Sequence, residues 1–337
     1  MTTTKNSGLQ KQKQIYKKTI KIFGPPGTGK THTLIERVLK GYLKKGIDPQ
    51  SIAFISFTNK AVNTARDRAL AAFPKYTEED FLRFKTLHKY CRQYFEEEVF
   101  DPKNCMIDFA LENSFIKGSD SRLADDNFTY KDWSLGIYDK ARNMLQDPRL
   151  VYKKESYKKD SLDVFCRKIS TYEHYKKEYI AIDEVEFPPL EVLILDEAQD
   201  FTPLQWSVIY KVAENVKRIY LAGDDDQGIY RWNGADPKYF TEYFPGRRVV
   251  LRKTRRFGKD IHHFSQIIRR GIIDSVDKEY SYLEKEGAVK RYLNFNEIPV
   301  GDLPGTWYVL GRVNTTVNEL RVFAKTSGFY FSDNKGN

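Results

Sequence analysis

The 337 residues are 40% hydrophobic and 30% charged with a mean hydropathy of −0.61, the composition of a soluble globular protein with room for roughly two or three domains. No apolar run approaches the ~20 residues that span a bilayer, and the N-terminus lacks the apolar stretch of a signal peptide, so no membrane partner is expected. The net charge of +10 is uneven: 19 Lys/Arg against 6 Asp/Glu in residues 1–95, 15 against 20 in 96–186, and 22 against 20 in 187–337. A basic first segment suits a polyanionic partner, although solvated charge alone could account for it. Cys91, Cys105 and Cys166 lack metal or disulfide spacing and fit a reducing cytoplasm, bacterial or of a virus-infected cell.

The chain opens with a polar, lysine-rich lead-in over residues 1–18. Ile20–Phe23 reads as a strand, and a helix is predicted from about Thr31 to Lys45. Between them lies Gly24-Pro25-Pro26-Gly27-Thr28-Gly29-Lys30-Thr31, which fits G-x-x-x-x-G-K-[ST] in the strand–loop–helix context that motif needs. Glycines let the backbone close around phosphate oxygens, and amides at the helix start point at the anion. Lys30 can neutralise the β- and γ-phosphates, and the Thr31 hydroxyl can ligate Mg²⁺. A chance glycine-rich turn is the bland alternative.

Ile52–Phe57 predicts a second strand and Lys60–Phe73 a helix. From about 97 to 186 the alternation stops, the charge changes sign and strand character weakens, which predicts a mostly helical insertion. Val192–Leu195 then predicts a strand that places Asp196 and Glu197 at its C-terminal edge, beside the phosphate loop. One carboxylate must hold the metal and the other must accept a proton from the attacking water; Asp196 is assigned to Mg²⁺ and Glu197 to the base. Adjacent acids are common on surface turns, so the upstream loop carries much of that assignment.

Ile219–Ala222 predicts the next strand, which leads into Asp224-Asp-Asp-Gln227-Gly-Ile-Tyr230-Arg-Trp232. Gln227 could report the γ-phosphate to whatever Tyr230 and Trp232 touch. Exposed aromatics beside basic residues suit stacking on unpaired bases, worth about 1–3 kcal/mol per base. For an isolated Tyr-x-Trp, filling the core is the ordinary alternative. Further expectations are a strand at Val249–Leu251, a helix near Asp260–Arg270, a strand at Trp307–Leu310 and a helix near Thr315–Lys325. Short apolar strands alternating with helices predict an α/β, doubly covered parallel sheet.

These motifs, in this order, resemble those of the UvrD/Rep-type superfamily 1 DNA helicases. Phe57-Thr58-Asn59-Lys60-Ala resembles the family's second motif, and Thr86-Leu-His88 its Thr-x-His motif; both imply contacts along the DNA path. Asp196-Glu-Ala-Gln-Asp200 and the Gly-Asp-Asp-Asp-Gln-x-x-Tyr-x-Trp-x-Gly-Ala run match the family's own versions, which implies base stacking by Tyr230 and Trp232. Leu251-Arg-Lys-Thr-Arg255-Arg256-Phe257 stands where the family has Leu-x-x-Asn-Tyr-Arg-Ser, so Arg256 would reach the γ-phosphate. Arg255 replaces a tyrosine that stacks on adenine. Trp307-Tyr-Val-Leu-Gly-Arg312 resembles a segment whose arginine lies near the nucleotide. Gln10, Gln12 and Gln14 compete for the adenine-reading position, and the family's last two motifs do not occur in this sequence.

The resemblance implies a RecA-like P-loop domain over 19–96 and 187–250, an inserted helical subdomain over 97–186, and the start of a second RecA-like domain over 251–337. It implies an ATP-dependent helicase or translocase on single-stranded DNA or single/double-strand junctions, moving 3′ to 5′, with ATP and Mg²⁺. Such an enzyme would serve DNA repair or replication, with a C-terminal partner chain as one source of the missing motifs. The alternatives are a non-unwinding DNA-binding ATP switch or remnant and the motor part of a helicase–nuclease.

Overall fold

The computed structural model describes residues 2–94, 133–175, 186–294, 297–299, 307–311 and 314–330. Six strands form one sheet in the order β3-β2-β4-β5-β1-β6, every pair parallel. They are β1 (Thr19–Phe23), β2 (Ile52–Ser56), β3 (Phe84–Thr86), β4 (Leu190–Asp196), β5 (Val216–Gly223) and β6 (Arg247–Val250). The α/β parallel-sheet expectation therefore holds.

β4 shows why the apolar runs are continuous rather than alternating. Leu193 and Leu195 enter the core on one face of the sheet with Phe23, Ile55 and Trp206. Val192 and Ile194 enter the core on the other face with Leu34, Phe54 and Val62. A strand covered on both faces has no solvent side, so both sets of alternate residues must be apolar. The covering helices include α1 (Thr2–Lys18), a helical run α2, α3 (Asn59–Ala72) and, after β3, the short α4 (Leu87–Arg92). The predicted helix after the phosphate loop is α2, whose middle differs in winding: Lys30–His32 is α-helical, Thr33–Leu39 is π-helical with Lys40 N–H donating to Ile35 O, and Lys40–Lys44 returns to α.

The polar lead-in forms a helix. Its anchors are non-local: Ile15 joins the core, Lys11 pairs with Glu214 at 2.9 Å, and Lys18 donates to the Glu214 carbonyl. Gln10, Gln12 and Gln14 all lie exposed on it. Within the expected insertion, the described part is helical: α5 (Trp133–Asn143), α6 (Pro148–Lys154) and α7 (Leu162–Tyr175), packed on Leu135, Tyr138, Tyr152 and Phe165. Helix α8 (Pro203–Glu214) starts with a capping box, in which Thr202 and Gln205 satisfy each other's backbone N–H, and with Pro203 in the first turn.

The chain divides into two units, Met1–Lys285 and Glu286–Asn337. The first unit includes helix α9 (Lys259–Arg269). In the second unit, α10 (Asn314–Thr326) matches its prediction, but the expected strand at 307–310 does not form. Tyr308 and Leu310 are 87% and 89% exposed, and an extended segment without a paired neighbour gains no ladder. Among the described residues, no helix is long and apolar enough to cross a membrane.

Candidate nucleotide and nucleic-acid site

The phosphate-loop motif turns out of the C-terminal end of β1. Gly27 and Gly29 have φ of 76° and 88°, which only glycine adopts without strain. Thr28 closes the turn by donating its hydroxyl to the Pro25 carbonyl at 2.8 Å. Lys30 is buried and its Nζ donates to the Gly24 carbonyl at 2.6 Å, so the ammonium is folded back over the loop it follows. Thr31 Oγ1 donates to Asp196 Oδ2 at 2.7 Å. The loop, its lysine and the first strand-end carboxylate thus share one crevice at the C-terminal edge of the sheet, where the strand order reverses.

Asp196 is almost wholly buried, and its pKa is pushed up to about 6, first by that burial and then by Glu197; the Thr31 hydroxyl, the Glu197 amide and Lys30 oppose the rise. A hydroxyl and a buried carboxylate, both hard oxygen donors, suit Mg²⁺. Glu197 takes a left-handed backbone (φ 53°), rare outside glycine, which turns its side chain out of the strand direction. Its carboxylate accepts from Gln199 Nε2 at 3.0 Å. Asp200 next to it is pushed up to about 7 by burial and by the Glu197 charge.

Gln199 went unremarked in the sequence, yet it joins the two acidic segments, because its Oε1 accepts the Asp224 N–H at 3.0 Å. On the Asp224 side, Gln227 Nε2 donates to Asp224 Oδ2 at 2.5 Å. Gln227 is therefore tied to the same network as Glu197.

The segment bearing Arg255 and Arg256 lies on the phosphate loop. Thr254 Oγ1 donates to the Pro26 carbonyl at 2.8 Å, and the Arg255 N–H donates to the Gly27 carbonyl at 2.9 Å. A Cβ added at Gly27 would sit 2.5 Å from the Arg256 Cβ. Both arginine side chains are exposed. Arg312 lies outside the described residues.

The predicted strand-contact residues gather on one surface. Phe57 follows β2, and its ring centroid is 4.5 Å from that of Tyr230, which lies 6.3 Å from that of Trp232. Trp232 is 66% exposed, so it does not fill core. Thr58 caps α3 through the Ala61 N–H, with Asn59 exposed beside it. Thr86 stands half-buried before α4, and His88 opens to solvent. The protein crowding His88 lowers its pKa, while Asp139 on α5 pulls the other way. Helix α5 also reaches the turn behind Trp232: Asn143 Nδ2 donates to Asn233 Oδ1 at 3.3 Å, and a Cβ at Gly234 (φ +90°) would meet Met144 and Asn143. Cys91 is half-buried, and desolvation pushes its thiol up to about 12, which disfavours the reactive thiolate.

A parallel α/β sheet with a phosphate loop, a strand-end carboxylate pair and an adjoining aromatic surface defines a P-loop nucleotide-binding protein. The UvrD/REP helicase N-terminal domain model matches residues 5–186 and 139–244, and the chain belongs to that family. A probable DNA helicase II homolog of Mycoplasma capricolum is 26% identical over 245 residues, 65% of this chain and 34% of the relative. The ATP-dependent DNA helicase PcrA of Bacillus subtilis is 25% identical over 283 residues, 73% of this chain and 37% of the relative. The chain thus spans about a third of the length of these relatives. A solved arterivirus nonstructural protein 10 helicase with DNA aligns over 74% of this chain and 40% of its own at 13% identity and a TM-score of 0.28, too loose a likeness to bear on the site.

Proposed function

We propose that this chain is the nucleotide-binding part of an ATP-dependent DNA helicase, which hydrolyses Mg²⁺-bound ATP and couples the turnover to its grip on single-stranded DNA. The observation that carries the reading is the Thr31–Asp196 hydrogen bond, which places the loop's hydroxyl and the buried carboxylate at one point. Residues Gly24, Pro25, Pro26, Gly27, Thr28 and Gly29 wrap the phosphates, and Lys30 leaves the Gly24 carbonyl to meet their charge. Thr31 and Asp196 would hold Mg²⁺, which would supply positive charge against the phosphate oxygens. Glu197 accepts the proton of the attacking water, Gln227 reads the γ-phosphate, and Arg256 stabilises the transferring group, with Arg312 near the nucleotide.

The strand lies over Phe57, Thr58, Asn59, Thr86, His88, Tyr230 and Trp232, with the rings of Tyr230 and Trp232 stacking on bases. Residues 97–186 form the insertion and 251–337 begin the second RecA-like domain. The 3′ to 5′ direction and the single-stranded substrate rest on the family resemblance; the PcrA relatives are named ATP-dependent DNA helicases.

Lys30→Ala tests this reading. Nucleotide hydrolysis is expected to fall to background while single-stranded DNA binding, measured by fluorescence anisotropy, survives. Equal hydrolysis by variant and parent contradicts the assignment.

A further inference from the structure

Asp224, Asp225 and Asp226 converge on one ammonium. Lys278 Nζ donates to Asp224 Oδ1 at 2.8 Å and to Asp225 Oδ1 at 2.5 Å, and lies 3.0 Å from Asp226 Oδ2. The side chains of Lys278 and Asp224 are both 0% exposed. A cation so buried has lost its hydration and persists only when paired and hydrogen-bonded. Its pKa is accordingly raised by Asp224 and Asp225, against the desolvation that would lower it. Among the described residues these three acids have the spacing of a metal site. The ammonium fills the point where an ion would sit, so the cluster is an internal ion network.

The same three aspartates are also bonded elsewhere, Asp224 and Asp225 through their second oxygens and Asp226 through the Oδ2 that faces Lys278. Asp224 Oδ2 accepts from Gln227 Nε2, and the Asp224 N–H reaches Gln199, which donates to Glu197. Asp225 Oδ2 accepts the Val276 N–H at 2.7 Å, and Asp226 Oδ2 pairs with Arg269 Nε at 3.3 Å. One side of the cluster thus ends at Glu197 and Gln227, and the other on the segment from Arg269 to Lys278. The turn continues directly into Tyr230 and Trp232.

We propose that Lys278 is a positioning residue that clamps the Asp224–Asp226 turn and thereby sets Gln227 and Trp232 relative to Glu197 for ATP turnover; this rests on the function proposed above. Without the ammonium, neighbouring buried carboxylates repel one another and the turn loses its common anchor. The nucleotide-gripping loop at 24–31 makes no bond to Lys278, so nucleotide affinity and turnover are separable.

Two variants of the whole chain test the clamp. Lys278→Met removes the ammonium; Lys278→Met combined with Asp225→Asn removes one charge of each sign and leaves the cluster's net charge unchanged. Amide hydrogen exchange is followed over 224–235 and over the strands at 19–23 and 190–196, alongside binding of a fluorescent ATP analogue with Mg²⁺ and steady-state hydrolysis. Exchange in the turn is expected to accelerate about tenfold or more while the strands keep the parent's rates. Nucleotide affinity should stay within about twofold. The value of kcat should fall at least about tenfold with KM unchanged.

Parent-like exchange and kcat in either folded variant overturn the proposal. So does exchange that rises equally in turn and strands, or failure of both variants to fold, since the cluster then serves the fold as a whole. A parent chain that hydrolyses no ATP counts against the proposed function instead, and the exchange pattern still decides the clamp.

Discussion

Thr31 Oγ1 and Asp196 Oδ2 stand 2.7 Å apart although 165 positions separate them in the chain. The first follows the phosphate loop after β1, and the second ends β4, with β5 between the two strands. A helix N-terminus and a buried carboxylate meeting in this way make an anion site next to a cation site, which a metal-bound triphosphate requires.

Asp196 holds its charge at a cost when no metal is bound, since burial and Glu197 both oppose ionisation. Asp196→Asn removes that charge while keeping an acceptor for Thr31. The variant is expected to be more stable than the parent without metal at neutral pH, by about 1–2 kcal/mol, and to lose Mg²⁺-dependent hydrolysis. Urea denaturation in EDTA checks the first half; a less stable variant argues against a strained carboxylate.

Gly27 serves two purposes: its φ of 76° forms the loop, and its missing side chain admits the Arg256 segment. Gly27→Ala would place a Cβ 2.7 Å from Thr254 Oγ1 as well as against the Arg256 Cβ. Stability should fall by about 1–3 kcal/mol. Affinity for the Mg²⁺-bound nucleotide should fall about tenfold or more. Calorimetry and titration measure the two; unchanged affinity would separate Arg256 from the nucleotide site.

Lys21 is a buried cation inside β1 that donates to the carbonyls of Thr241 and Phe244 at 3.1 and 2.8 Å. Burial, then Arg248, lowers its pKa from 10.5 to about 8, with Glu242 opposing. Between those two values the unfolded chain holds more protons than the folded one, so stability rises with pH across that window. Relative to Lys21→Met, the parent should gain about 1–3 kcal/mol between pH 7.5 and 10. Denaturant midpoints for both proteins at both pH values are the check, and parallel pH curves would contradict it.

What could be read from the residues alone was whatever had a local pattern with a physical cause. β4 was legible because both faces are covered, and the acids at its end stood out against that apolar run. Phe57, Tyr230 and Trp232 could be named, but not their adjacency, which requires β2 and β5 to flank β4. The helix at 2–18 was missed because its anchors, Ile15 aside, are contacts with Glu214 far along the chain. β3 has three residues, with Phe84 alone fully buried, too short for a period. Val309 and its neighbours had strand composition but find no ladder among the described residues. Lys278 sits in the polar run Val-Asp-Lys-Glu-Tyr, where nothing local signals burial; three successive acids after an apolar strand were the available hint that a cation must meet them.

The most direct test of the account is ATP hydrolysis by Trp232→Ala and by the parent, each with and without single-stranded DNA. Trp232 is largely exposed, so stability should change by less than about 0.5 kcal/mol. The account predicts that DNA accelerates hydrolysis by the parent and fails to accelerate the variant, whose DNA-free rate is unaltered. Equal stimulation of both proteins would contradict the link between the nucleotide crevice and the aromatic surface.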